Sequence, residues 1–365
     1  MAKLTLFLVF SAAVAASAIS FNLTNVGASC TISKIGDVDN VVKTCKTIVV
    51  NNLSVPGGKT LELKLQSGTT LKFQGTTTFQ HTNWDGPLIS ISGSNLHVSG
   101  SGAVLDGLGA KYWDGKGDNG TKKPKFFKIK DTTGSTFDSI HLLNCPHQCV
   151  SIQNSKKTTL NNWNVDVSAG DKNSLGHNTD GFDLSENEEI TIQNSAVHNQ
   201  DDCVAVNSGK HYHFNKLTCV GGHGLSLSVG TSTTDSSKNH AEDINFSDCS
   251  VSNSQNGIHI KTHTDGATGY IKGVTYKNIK LSGITKYGIN VQQDYHGGSS
   301  SGHAKSNIPI SGLTLQSVTG SLKSGEAVYI LCGSNACSSF NWSGVSISGA
   351  SEKNSCNYHP NGFNC

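Results

Sequence analysis

The chain has 365 residues, 35% hydrophobic and 15% charged, with 40 Gly, 6 Pro and a formal net charge of +2. This balance excludes a disordered chain, which carries more charge over fewer apolar residues, and a collagen, which needs a strict Gly period. A near-neutral chain without a basic block also argues against nucleic acid as partner, and since all 28 basic residues are Lys, no step can use a guanidinium.

Lys3, an apolar run from Leu4 to about Ala16 and the small residues Ala16, Ser17 and Ala18 read as a secretory leader over residues 1–18, cleaved after Ala18. The run is shorter than the ~20 residues a bilayer crossing needs, and no later stretch is apolar enough, so no membrane partner is expected. The mature chain, 19–365, is therefore predicted to be secreted and extracellular. Asn-x-Ser/Thr sequons at Asn22, Asn52, Asn119, Asn245 and Asn341 fit that compartment. Eleven cysteines imply disulfides there. Short spacings suggest Cys30 with Cys45, Cys203 with Cys219, Cys332 with Cys337 and Cys356 with Cys365. Cys145, Cys149 and Cys249 remain, so at least one thiol is unpaired. Cys145, His147 and Cys149 also have the look of metal ligands, but an oxidising compartment and the lack of a second ligand cluster favour a disulfide or buried thiols, and no metal or cofactor is expected.

The one helical pattern runs from about Asp37 to Val49, where Val38, Val41, Val42 and Cys45 recur at helical spacing. From Leu61 onward, short alternating segments take over, starting at Leu61, Ile89, Leu96, Phe127 and Ile140, each a strand with one buried face. Six later segments then share a small residue or Cys followed by apolar-x-apolar. Their first apolar residues are Val150, Phe182, Val204, Leu225, Ile258 and Ile289, spaced 32, 22, 21, 33 and 31 apart. Second strands such as Ile190–Ile192, Leu217–Cys219 and Ile244–Phe246 lie between them. Coils of this length, each with several short strands, predict an all-β, single-domain right-handed parallel β-helix, a solenoid with a short N-terminal helical cap, whose coils stack about 4.8 Å apart. A propeller would need regular four-stranded blades, which are not found.

Equivalent positions in successive coils lie side by side, which locates the chemistry. Two residues before the first apolar position stand Asp180, Asp202 and His223, with Asp201 at the same turn. One residue after it, on the outward face, stand Asp183, Ala205, Ser226, His259 and Asn290, and two further on Ser185, Asn207, Ser228, Lys261 and Gln292. His259 and Lys261 are thus expected to project toward solvent beside the acidic patch. Crowded carboxylates raise one another's pKa, so one stays protonated as an acid while another stays ionised as a base, the division of labour that glycoside hydrolysis needs. Taken singly, each Asp would pass for a turn residue that caps a loop. The lysines at 122, 123, 125, 128 and 130 read as a solvated strand, and Trp113 is left unassigned between sugar stacking and core.

Asn178-Thr-Asp180, Gln200-Asp-Asp202, Gly222-His-Gly224 and Ile260-Lys261 resemble, in order, the four signature motifs of family 28 glycoside hydrolases, the polygalacturonases. The likeness covers essentially the whole mature chain, including Lys123–Phe127, Gln292–Tyr295 and the Cys-rich end. It implies an open cleft and inverting, endo-acting hydrolysis of α-1,4 links in de-esterified pectin, by a monomer whose partner is polygalacturonate. By position it implies Asp201 as general acid, Asp180 and Asp202 as activators of water, and His223 as keeper of the acid's protonation state. Asn178, His259, Lys261 and Tyr295 would contact the substrate, with Lys261 on a uronate carboxylate and Tyr295 shaping the subsite. One position departs from the pattern: where the family has Arg-Ile-Lys, this chain has His259-Ile260-Lys261. An imidazole cannot make a bidentate fork and is charged only below about pH 6.5, so affinity should fall or depend on acidic pH. The alternatives are a pectin-binding pseudoenzyme, or a hydrolase shifted in pectic substrate or to exo action. A lyase of the calcium-dependent kind would need an Arg base, which an Arg-free chain lacks.

Overall fold

A computed structural model describes residues 30–365. The predicted leader 1–18 and the sequon at Asn22 lie outside these residues. The described chain winds into a right-handed parallel β-helix whose strands form three ladders. The first ladder carries the six recurring segments: Val150–Gln153, Phe182–Ser185, Asp202–Val206, Gly224–Val229, Asn256–His263 and Tyr287–His296. Their register matches the sequence alignment, with Val150 opposite Phe182, then Val204, Leu225, Ile258 and Ile289. Alternation explains the agreement, because a one-residue slip would turn every apolar side chain out of the core.

The second and third ladders close the coil. Across the second, Phe214, Phe246 and Tyr276 sit in register and stack, with ring centroids 4.4 Å and then 4.6 Å apart. Between these two ladders a single left-handed residue turns the chain in coil after coil, among them Asn162, Asn194, Asp248 and Asn278. Asn and Asp tolerate that conformation better than other side chains with a Cβ, which accounts for the polar turns of the sequence. One apolar core runs the length of the solenoid, from Ile32 to Trp342. Each fully buried Leu, Ile or Phe contributes on the order of 1.5–3 kcal/mol relative to exposure.

The helical cap is shorter than predicted. The helix covers Val38–Thr44, burying Val38, Val41 and Val42 against the solenoid end, and stops at Cys45, which is bonded to Cys30. Thr47–Asn51 is instead a strand paired with Thr70–Gln74. Its β-branched run Ile48, Val49 and Val50 packs better on a pleated ladder than on a helix. The other disulfides include Cys145–Cys149, which resolves those two residues as a bridge, besides Cys203–Cys219, Cys332–Cys337 and Cys356–Cys365. Cys249 is the buried free thiol, pushed up to about 11 by burial. Trp113 is buried, with its ring nitrogen donating to Cys145 O, and so belongs to the core.

Candidate active site

The site forms on the outward face of the first ladder, and a β-bulge builds it. Asp202 pairs with Gly224 but Val204 pairs with Leu225, so Cys203 is an extra residue. Strict alternation would place Asp202 on the same inward side as Val204. The bulge re-aims it outward, where its Oδ1 accepts from Ser226 Oγ at 2.6 Å and its Oδ2 contacts Lys261 Nζ at 2.8 Å. The displaced Cys203 points into the core and is tied to Cys219 on the third ladder. This corrects the simple column of Asp202 and His223: the bulge makes Asp201 the neighbour of His223, with Asp201 Oδ1 3.0 Å from His223 Nδ1.

Asp201 is held from several directions. Its Oδ1 also accepts from the backbone N–H of Asp202, and its Oδ2 from Asn178 Nδ2 at 3.2 Å. Asn178 in turn accepts, through Oδ1, from the Asp118 N–H of a loop that reaches over this face. Buried Asn199, which the sequence reading missed, clamps the turn by donating from Nδ2 to the carbonyls of Thr179, Asp201 and Asp202. Only its place three residues before Asp202, at the end of the strand Ala196–Asn199, hinted at that function.

The charges sort themselves accordingly. Burial works against ionised Asp201, but the His223 hydrogen bond and the charges of His223 and Lys261 outweigh it and hold the carboxyl down to about 2. Burial likewise opposes the His223 imidazolium, and the bond and charge of Asp201 overcome it, raising its pKa. Asp180, buried and facing the charges of Asp201, Asp183 and Asp202, is pushed well up. Asp183 is pushed up to about 7 by burial, with Lys125 opposing and Asp202 and Asp201 reinforcing the rise. Four carboxyls thus share two close cations, Lys261 and His223, with the pKa of Asp180 and Asp183 pushed up and that of Asp201 held down. Ligand atoms of Asp201, Asp202 and His223 lie within 4.8 Å of one another, near enough to chelate an ion, and there Lys261 and His223 supply the positive charge.

Tyr295 and Lys261 meet, with Nζ 5.0 Å from the ring centroid. Tyr295 opens a hairpin in which Tyr295 and His296 pair with Ser300 and Ser299, anchored by buried Asp294. His263 packs edge-on against Tyr295 at 5.1 Å and bonds Ser228 Oγ at 3.0 Å. His259 and Lys261 occupy the predicted outward positions but do not project into solvent, being 7% and 5% exposed. For His259, burial, and then the charges of Lys261, His223 and Lys286, push its pKa well down, which works against a charged imidazolium. The lysine cluster also divides. Lys122 pairs with Asp85, buried Lys123 with Asp114, while Lys128 and Lys130 take outward positions of the first ladder, with Lys128 in register with Ser151 and Asp183.

The family model for glycosyl hydrolases family 28 matches residues 45–365. A polygalacturonase of Phaedon cochleariae is 52% identical over 343 residues, covering 92% of this chain and 93% of that protein. A polygalacturonase of Penicillium griseoroseum is 48% identical, covering 93% and 90%. Among solved structures, endopolygalacturonase I of Stereum purpureum, complexed with two galacturonates, superposes with a TM-score of 0.82 at 34% identity, covering 90% of this chain and 96% of that one. With its parallel solenoid and four ordered motifs gathered on one ladder face, this chain belongs to glycosyl hydrolases family 28.

Proposed function

We propose that the chain hydrolyses α-1,4 links between galacturonates in de-esterified pectin, cutting within the chain and inverting the anomeric centre. The observation that carries this reading is the pair of contacts set side by side in adjacent coils, Asp201 with His223 at 3.0 Å and Asp202 with Lys261 at 2.8 Å, beside buried Asp180. Polygalacturonases at 48% and 52% identity and a solved endopolygalacturonase with galacturonate bound support it.

Asp201 and His223 act as one acid. Their shared proton rests on His223 Nδ1, hydrogen-bonded to Asp201 Oδ1. As the glycosidic bond breaks, that one proton passes from His223 to Asp201 and from Asp201 to the leaving oxygen, which leaves His223 neutral beside ionised Asp201. A water adds to the anomeric carbon from the opposite face and gives its proton to Asp202, whose charge Lys261 balances, while Asp180 orients that water. The atoms balance: one C–O bond forms and one breaks, with one proton supplied and one recovered. Protein acting outside the cell, exported by the 1–18 leader and working as a single copy, fits this substrate.

Reducing-end release from polygalacturonate by the purified protein, beside Asp201→Asn, tests the reading. Turnover by wild type with loss in the variant supports it; binding without turnover makes the protein a pectin-binding pseudoenzyme. The raised pKa of Asp180 favours a second assignment, with Asp180 as the acid. In His223→Gln the alkaline limb of kcat/KM should move if the dyad is the acid and stay in place if Asp180 is.

A further inference from the structure

Among the described residues, the outward positions on the C-terminal side of the site offer no free cation to a uronate. Lys261 is engaged by Asp202, and His259 is buried, which works against its charged form. The floor there is nonetheless built to hydrogen-bond something. His259 Nε2, Asn256 Oδ1 and Asn290 Oδ1 are buried without a partner among the described residues, and His259 and Asn290 are in register on adjacent strands. Unsatisfied polar atoms buried at a site mark where a ligand's own groups belong. They do not balance a carboxylate's charge.

Lys286 stands at the edge of this floor. It lies in the turn that leads into the strand Tyr287–His296. Backbone hydrogen bonds stack that turn in the same column as the turns bearing Asp201 and His223: His223 N–H donates to Asp201 O, Gln255 N–H to Gly222 O, and Lys286 N–H to Gln255 O. Lys286 is therefore two coils beyond His223, roughly 10 Å along the solenoid axis. Its side chain is exposed and makes no ion pair among the described residues, and Nζ lies 5.2 Å from the centroid of the Tyr287 ring. Its charge is also one of those felt by His259.

We propose that Lys286 is a substrate-binding residue that holds the carboxylate of the uronate unit lying over His259 and Asn290, supplying from the turn the charge that the floor does not carry. The inference rests on the reading of the site as a galacturonan hydrolase. His259 and the Asn side chains would then take the unit's hydroxyls, and Tyr287 would brace the ammonium.

The test measures retention on polygalacturonate by affinity electrophoresis, together with kcat and KM, for wild type, Lys286→Gln and Lys286→Arg, with melting temperature as a check on folding. Removing the charge should weaken retention and raise KM by about fivefold, while Lys286→Arg keeps both. The salt dependence of binding should flatten in Lys286→Gln, and binding to a fully methyl-esterified chain should not change, because that chain offers no carboxylate. Unchanged retention in Lys286→Gln, or an equal loss on the esterified chain, overturns the proposal. If wild type binds polygalacturonate without cutting it, the hydrolase reading fails while the Lys286 comparison still reads out by retention. If wild type neither binds nor cuts, both fall.

Discussion

On the N-terminal side of the catalytic cluster the outward positions of the first ladder read Lys128, Ser151 and Asp183, and on the C-terminal side they read Ser226, His259 and Asn290. The strands, the register and the inward residues are of one kind on both sides. What differs is how each side carries positive charge. Lys128 and Lys130 are only half-buried, with exposed Lys125 nearby, so three ammoniums crowd together and lower the pKa of Lys128, after burial itself. On the other side the floor is sealed: Lys261 is spent on Asp202, burial works against a charged His259, and a lysine without an ion pair among the described residues sits in the turn at Lys286. A solenoid face therefore does not inherit one electrostatic character from its repeat. Burial decides, position by position, whether a titratable group keeps its charge.

The largest effect is expected at the centre, where the two sides should matter least. Asp201→Asn should lower kcat by about a thousandfold, the range of positioned acid–base catalysis, with retention on polygalacturonate kept. A variant that loses binding and turnover together would mean that Asp201 belongs to the binding floor. Next comes Lys261→Met, which leaves Asp202 buried without its cation. Breaking such a pair costs on the order of 3–5 kcal/mol, so the melting temperature should drop by many degrees, and Lys261→Met with Asp202→Asn should recover most of it.

The N-terminal side is tested by Lys128→Gln with Lys130→Gln, which should raise KM on polygalacturonate by roughly fivefold and reduce its salt dependence, leaving kcat alone. No change would return these lysines to the solvated strand that the sequence suggested. The central cluster and its N-terminal neighbour Asp183 are probed by pH. Asp183 binds a proton more tightly folded than unfolded, so between about pH 4 and about pH 7 the native state holds more protons and stability falls as pH rises. Asp201 works the other way: its lowered carboxyl stabilises the fold above its unfolded pKa, and that contribution is lost as pH falls toward about 2. Stability should therefore peak near pH 4–5. Asp183→Asn should be more stable than wild type at pH 7 by about 1–2 kcal/mol, after allowance for its partial exposure, and equal at pH 4, as denaturant melts at the two pH values would show.

Much of this was legible before any coordinates. The six apolar-x-apolar segments gave the ladder and its register because a period of two leaves no other arrangement that buries Val150, Phe182, Val204, Leu225, Ile258 and Ile289 together. The local disulfides followed from spacing, and the four motifs placed Asp180, Asp201, Asp202, His223 and Lys261 on one patch. The helix end was misread because Val49 continues an apolar pattern that its β-branched neighbours turn into a strand.

Alternation along the chain is a local property, so the sequence alone determined the solenoid, its coil boundaries and which strand residues face outward away from the bulge. The extra residue at Cys203, the contact of His223 with Asp201, the clamp by Asn199 and the lowered pKa of His259 were decided by the tertiary structure. Each depends on side chains brought from other coils and on how far those chains exclude water, and both enter only once the coils have stacked.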